Sequence, residues 1–364
     1  RDESPLVLFT GGGTGGHVFP GMAVLQELRA ARPVRVAWIG ASLGIERRIA
    51  REHGVPFYGI PTGKLRRYLS LENLWDVFRV AAGVLRSLVV IRALEPAVLF
   101  SKGGFVSVPP VMAARLLRVP VITHESDADP GLATRINARF SDRVLVAYDA
   151  TRRHLRPALR PRVIVSGNPL RPEVLHGDRG RGLQWLGFSD ADDRPVVLFV
   201  GGSQGARQVN RLVAALEPEI SADWRIVHQT GEHGVARREP DHVAAPFFGP
   251  ELPDLLAAAD VLVCRAGAST LWEAAALSKP MLLVPLATGS RGDQVRNAAL
   301  FVAAGGAESF TDPEGLCEGV AHALRKLRTD VGMREAMGAR AHELVRLDAS
   351  RVIARIIRSY LDEE

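Results

Sequence analysis

An apolar strand that runs straight into a glycine-rich loop and then a helix occurs twice in this chain, about half its length apart. The first copy is Leu6-Val7-Leu8-Phe9-Thr10 followed by Gly11-Gly12-Gly13-Thr14-Gly15-Gly16-His17. The second is Val196-Val197-Leu198-Phe199-Val200 followed by Gly201-Gly202-Ser203-Gln204-Gly205-Ala206-Arg207. Glycines let backbone N–H groups approach a phosphate, and the helix start behind them adds positive potential. Two copies predict two nucleotide-fold domains, and such domains sharing a cleft hold a charged donor on one side and an acceptor on the other.

The rest of the chain fits that reading. At 364 residues it is long enough for more than one core, and its 47% hydrophobic and 24% charged content is that of a globular protein. Short β-branched strands alternate with helical spacing through the first half. Strands are expected at Val34–Ile39, Ala97–Phe100, Val119–Thr123 and Arg143–Val146, with helices at Gly44–His53, Ser107–Leu117 and Gly131–Phe140. Ser166-Gly167-Asn168-Pro169-Leu170-Arg171 reads as a chain reversal and hinge, and the Gly-, Arg- and Asp-rich stretch 177–194 as a surface connection. Strands return at Val196–Val200, Arg225–Gln229, Val243–Phe248, Val261–Cys264 and Met281–Pro285, between helices at Ala206–Leu216, Glu251–Ala258, Thr270–Leu277 and Gln294–Ala304. A helical end follows with no further strand. The fold class is α/β, two doubly wound parallel sheets.

Several classes fall away. The net charge of +6 is compatible with phosphorylated ligands or an anionic membrane, but no basic stripe interleaved with aromatics points to nucleic acid. Cys264 and Cys317 are too few for a disulfide framework, and no Cys/His cluster has metal-ligand spacing. Leu6–Phe9 runs into glycines and does not read as a signal peptide, and no apolar run approaches the length of about 18 residues that a membrane span needs. The expected location is cytoplasmic, or peripheral on a membrane.

In open α/β sheets ligands bind beyond the carboxyl ends of the strands. The residues there are Thr14–His17, Ser101-Lys102-Gly103-Gly104, His124-Glu125-Ser126-Asp127, Gly201–Ser203, Gln229–Glu232, Arg265–Thr270 and Leu286–Gln294, mostly small, polar or charged. Gly11-x-Gly13-x-x-Gly16 matches a dinucleotide fingerprint in form. The second strand, however, ends Trp38-Ile39-Gly40-Ala41-Ser42, with no acid for a ribose until Glu46, which argues against a dehydrogenase. Arg265-Ala266-Gly267-Ala268-Ser269-Thr270-Leu271-Trp272-Glu273 turns on Gly267 into a helix, with Ser269 and Thr270 as candidate caps. Glu273 suits either ribose hydroxyls or a capping box, and the residues by themselves leave both open.

Together these motifs, with Asp293-Gln294 and Asn297-Ala298, resemble the MurG family of peptidoglycan glycosyltransferases, over nearly the whole chain from Leu6 to the C-terminal helices. The resemblance implies a GT-B fold: two Rossmann-like domains, 1–165 facing acceptor and membrane and 166–345 binding UDP-GlcNAc, with a final helix, 346–364, crossing back to the first. It implies inverting transfer of GlcNAc from UDP-GlcNAc to an undecaprenyl-pyrophosphoryl-MurNAc-pentapeptide at the cytoplasmic face of the membrane, with no cofactor and no metal. Other cell-wall synthesis proteins are the partners it suggests.

Carried over residue by residue, the resemblance places the diphosphate on Ser203 and the Ala268, Ser269 and Thr270 backbone, and the ribose on Glu273. Arg171 would contact the nucleotide, Phe248 or Gly249 would flank uracil, and Gln294 with Asp293 would bind sugar hydroxyls. Thr14, Gly15 and Gly16 would line the meeting point of donor and acceptor. His17 is the candidate base for the acceptor C4 hydroxyl, by its place after the loop and an ordinary pKa of about 6.5, with acceptor binding, or capping and packing at the helix start, as the other readings of that histidine. Two departures stand out: His124-Glu125-Ser126-Asp127 where many members have His-Glu-Gln-Asn, so that Asp127 accepts but cannot donate, and Asp293-Gln294 where others have Gln-Gln. The membrane patch is read in Gly63–Arg79 from Leu65, Arg66, Arg67, Leu74, Trp75 and Phe78, bulky apolar side chains among basic ones; an ordinary amphipathic core helix is the competing reading. The rival readings are a diacylglycerol glycosyltransferase, a UDP-GlcNAc 2-epimerase, and a UDP-sugar-binding subunit without catalysis.

Overall fold

The computed structural model describes residues 4–63, 71–189, 191–201, 207–232, 234–286 and 292–361, with the backbone alone for 71–77. Ser203, Leu65, Arg66 and Arg67 lie outside the described residues, as do the side chains of Leu74 and Trp75. The chain forms two compact units, residues 1–169 with 348–364 and residues 170–347.

Unit 1 runs β1 (Leu6–Thr10), α1 (Gly15–Ala31), β2 (Arg35–Ala41), α2 (Ile45–Glu52), β3 (Phe57–Ile60), α3 (Leu71–Leu94), β4 (Val98–Ser101), α4 (Val108–Leu116), β5 (Val121–Glu125), α5 (Leu132–Phe140), β6 (Arg143–Val146) and β7 (Val163–Val165). The strands form one parallel sheet in the order β3-β2-β1-β4-β5-β6-β7, the doubly wound arrangement with its reversal at β1/β4. The strand interiors are mostly apolar because both faces are covered, with polar residues gathered at the strand ends. On β1, Val7 and Phe9 pack with Trp38, Phe100, Met22 and Leu25 on one side, and Leu6 and Leu8 with Ile39, Leu99, Ile91 and Val111 on the other.

Unit 2 runs α6 (Pro172–Leu175), α7 (Arg179–Leu186), β8 (Val196–Val200), α8 (Arg207–Ile220), β9 (Arg225–Gln229), β10 (Arg237–Arg238), β11 (His242–Ala245), α9 (Leu252–Ala258), β12 (Val261–Cys264), α10 (Ala268–Ala276), β13 (Met281–Leu283), α11 (Asp293–Ala303), β14 (Ala307–Ser309), α12 (Leu316–Thr329) and α13 (Val331–His342). Its sheet, β10-β11-β9-β8-β12-β13-β14, is parallel except for the β10 edge. The last helix, α14 (Ala349–Arg358), belongs to unit 1, where Ile353, Ala354 and Ile357 enter the core beside Val18, Leu25 and Trp38.

Three expectations need correcting. The stretch 177–194 is not merely a connection. It contains α7, whose Leu183 and Leu186 are buried and whose Gly182 lies so close to the Asp254 carbonyl that a Cβ would sit 2.3 Å from it. Its glycines serve close helix packing. A strand, β14, stands between α11 and the C-terminal helices where none was expected. Finally, the N-cap of α10 is Gly267 with no side-chain cap, so Ser269 and Thr270 lie inside the first turn and do not cap it.

Candidate active site

In unit 1 the first glycine loop is held from beneath. Gly11 and Gly13 have φ of +148° and +84°, values that glycine tolerates best. The Trp38 indole donates to the Gly11 carbonyl at 3.1 Å. The fully buried Glu46 accepts from the Ala41 amide at 2.9 Å and the Gly13 amide at 3.2 Å. A Cβ on Gly12, Gly40 or Gly44 would fall within 3 Å of the Glu46 side chain, so these three glycines shape its chamber. A loop amide that a dinucleotide phosphate would use is therefore occupied by an internal anion. That is a physical reason beyond the missing ribose acid why this loop is not a dinucleotide site.

α1 begins at Gly15 with Thr14 as an extended N-cap that offers no side-chain bond to the helix. The Thr14 hydroxyl instead meets His17 Nδ1 at 3.0 Å. His17 is half-buried, and its pKa is lowered to about 4, first by burial and second by the charge of Lys102. It is a neutral ring at pH 7. Glu125 ends β5 and accepts from the Ser126, Asp127 and Gly131 amides, which fixes the loop that carries Asp127.

In unit 2 the strand-end positions after β12 carry several of the candidate residues. With no side chain capping α10, the amides of its first turn are left to an external acceptor. Arg265, directly after β12, has Nε and Nη1 buried without a hydrogen-bond partner among the described residues. Leaving a cation so placed is costly unless an anion completes it. Glu273 does not close a capping box. Its carboxylate takes a two-pronged bond from Arg171, Nε to Oε1 at 2.8 Å and Nη2 to Oε2 at 2.9 Å. Each oxygen keeps a lone pair for a further donor. Asn297 donates to the Ala266 carbonyl at 3.2 Å and ties α11 to the β12 exit. Gln294 accepts from the Leu286 amide through Oε1 at 2.8 Å, which leaves its NH2 as the end with donors to offer. Asp293 Oδ1 is bound by Arg296 at 2.7 Å, a second reason besides its departure from Gln for a weaker claim on a sugar hydroxyl. Phe248 is fully buried, edge-on to Trp185, and its amide donates to Gln229 Oε1. Its backbone, followed by Gly249, is the part left to meet a base.

Sequence reasoning placed Lys102 at a strand end and Arg171 and Glu273 on the nucleotide, but it gave Glu46 and Lys102 no role and did not pair Arg171 with Glu273. Glu46 left a trace as the first acid after β2. The pair spans 102 residues and left none.

Comparison with known proteins agrees with this picture. Residues 7–146 match the Glycosyltransferase family 28 N-terminal domain and residues 196–352 the Glycosyltransferase family 28 C-terminal domain. The UDP-N-acetylglucosamine--N-acetylmuramyl-(pentapeptide) pyrophosphoryl-undecaprenol N-acetylglucosamine transferase of Treponema pallidum is 47% identical over 84% of this chain and 83% of its own. The enzyme of the same name from Treponema denticola is 45% identical over 83% of each. The crystal structure of MurG from Acinetobacter baumannii superposes with a TM-score of 0.74 at 25% identity, covering 98% of this chain and 99% of that one. A Staphylococcus aureus MnaA–UDP structure, at 12% identity and TM-score 0.73 over 98% and 97%, shares the fold. With both domain models matched in order along it, and a last helix returned to the first unit, this chain belongs to glycosyltransferase family 28.

Proposed function

We propose that this enzyme transfers GlcNAc from UDP-GlcNAc to the C4 hydroxyl of MurNAc in undecaprenyl-pyrophosphoryl-MurNAc-pentapeptide, with inversion. The observation that carries the donor half is the start of α10, with uncapped amides and an Arg265 whose Nε and Nη1 have no partner among the described residues at one end, and the Arg171-held Glu273 further along the helix. The amides and Arg265 receive the diphosphate and the charge that grows on it as UDP leaves. Glu273 receives the ribose hydroxyls, with Arg171 as the residue that orients it. Gln294 serves the sugar, and Thr14, Gly15, Gly16 and Asp127 serve the acceptor side. His17, neutral and paired with Thr14 through Nδ1, takes the C4 proton on Nε2 as the hydroxyl attacks the anomeric carbon. The acceptor named for the Treponema relatives is a lipid.

The membrane half rests on α3 and on charge. Phe78, Leu85 and Val89, spaced along one side of α3, are 60%, 65% and 60% exposed, and Leu116 at the end of α4 is 67% exposed. Unit 1 carries 27 Lys/Arg against 17 Asp/Glu, a net +10, whereas unit 2 carries 19 against 23, a net −4. Basic charge around exposed apolar side chains suits the anionic cytoplasmic face of a membrane. Among the described residues no helix is long and apolar enough to cross one.

The test uses UDP-GlcNAc labelled in the sugar, a lipid-linked MurNAc-pentapeptide in detergent, and EDTA. Label appearing on the lipid supports the assignment. UDP-ManNAc formed without acceptor, or no transfer despite donor binding, overturns it.

A further inference from the structure

α7 is fixed against α9 by Gly182, which meets the Asp254 carbonyl, and by Arg181, whose Nε and Nη2 reach the Asp254 carboxylate at 3.0 and 2.7 Å. Leu183 and Leu186 of α7 are buried, while Trp185 stays half-buried between two neighbours. On one side the exposed Arg238 of β10 lays its guanidinium over the indole, 4.9 Å from the ring centroid, and Nη2 donates to the Trp185 carbonyl. On the other the buried Phe248 ring stands edge-on, with centroids 5.9 Å apart and planes at 84°. That is a favoured geometry for two aromatic rings, and it restricts where Phe248 can sit.

Phe248 lies just past β11, at the carboxyl end of the unit 2 sheet, where such sheets bind ligands. Its segment is pinned on the β9 side: the Thr230 and Gly231 amides donate to the Ala245 and Pro246 carbonyls, each at 2.9 Å. The Phe248 amide donates to Gln229 Oε1 at 3.2 Å, and the Gly249 carbonyl accepts from the Leu252 amide at 3.2 Å. The Phe248 carbonyl and the Gly249 amide are left without a partner among the described residues. An acceptor next to a donor matches the edge of uracil, where N3–H donates and the neighbouring carbonyl accepts. Bonds from β9 hold this peptide on one side, and the Trp185 ring backs it on the side of α7.

We propose that Trp185 is a positioning residue for the donor base: its ring backs Phe248 and so sets the Phe248–Gly249 peptide where uracil is read. Arg238 holds the indole in that pose from the solvent side. The inference rests on the placing of uracil at Phe248 and Gly249. A smaller, flexible side chain at 185 would let the Phe248 ring tilt, and the carbonyl and amide would turn with it. The base would lose its two hydrogen bonds, whereas a diphosphate held at α10 would not feel the change.

The test compares dissociation constants, by calorimetry, for UDP and for ribose 5-diphosphate, which lacks only the base. In Trp185→Leu the UDP constant should rise about tenfold, the worth of a well-placed aromatic pair. KM for UDP-GlcNAc should rise with it while kcat stays within about twofold, and the constant for ribose 5-diphosphate should not move. Trp185→Phe, which can keep the edge-on contact, should restore UDP binding. Arg238→Met alters an exposed residue and leaves the α7 core intact, so it carries the test if Trp185→Leu does not fold; a rise of about threefold for UDP alone is expected. An unchanged UDP constant in either folded variant, or equal weakening of both ligands, overturns the role of Trp185. If the unsubstituted protein binds UDP no more tightly than ribose 5-diphosphate, the placing of uracil at Phe248 and Gly249 fails instead.

Discussion

At the scale of single residues, the site is built from charges that answer one another inside one unit. Glu273 and Arg171 form a half-buried two-pronged pair, so their roles are inseparable. Glu273→Ala should lower kcat/KM for UDP-GlcNAc by about 10- to 100-fold, the worth of hydrogen bonds to a charged group. Arg171→Ala should cost a similar factor, and the double variant little more than either alone, as steady-state kinetics of the three would show. Titration gives a second expectation. His17 and His228 have folded pKa values lowered to about 4, and that of His124 is well below 6.5, all chiefly through burial. Between pH 6.5 and 4 the unfolded chain therefore binds more protons than the folded one, and stability must fall as the pH falls through that window. His228 by itself contributes a loss of up to about 3 kcal/mol. Urea midpoints measured at pH 7, 5.5 and 4.5 should decrease in that order. His228→Gln should flatten the fall, because glutamine does not titrate and its amide can still reach Asn210, which meets His228 Nε2 at 3.0 Å.

At the scale of elements, what the sequence revealed follows from what each element buries. β1 and β8 are apolar on both faces and lead into glycine loops, so their place in two central strands is plain from LVLFT and VVLFV. β14 is three residues, Ala-Glu-Ser, with no apolar run, and it is a strand because β13 pairs with it through tertiary contact. α7 is hidden by Arg179, Gly180 and Gly182, residues that read as a linker until Asp254 and Ala258 of the facing helix explain the glycine at 182. Of the site, the strand-end segments were readable because their small and polar residues interrupt apolar strands. The partners of those residues were not, since Arg171 with Glu273 and Lys102 with His124 depend on distances that only the fold sets. α14 offers a prediction at this scale: Ile357→Ala removes a fully buried side chain from the unit 1 core and should destabilise it by about 2–5 kcal/mol, measured by chemical denaturation.

At the scale of the whole molecule, charge is divided between the units, +10 against −4. Binding to vesicles containing phosphatidylglycerol should weaken as NaCl rises from 0.05 to about 0.5 M, because exposed charges are screened within a few ångströms at high salt. Phe78→Gln with Leu85→Gln should weaken it at every salt concentration, read by co-sedimentation, while transfer to a short-chain soluble acceptor stays intact. The return of α14 to unit 1 has another outcome, one of timing. A chain is made from its N-terminus, and domains fold as they emerge. Residues 170–347 emerge complete before the segment that holds Ile353 and Ile357 exists. During synthesis the second half of the protein can therefore mature first. The half that carries His17 finishes last, because its core is complete only when α14 has been made.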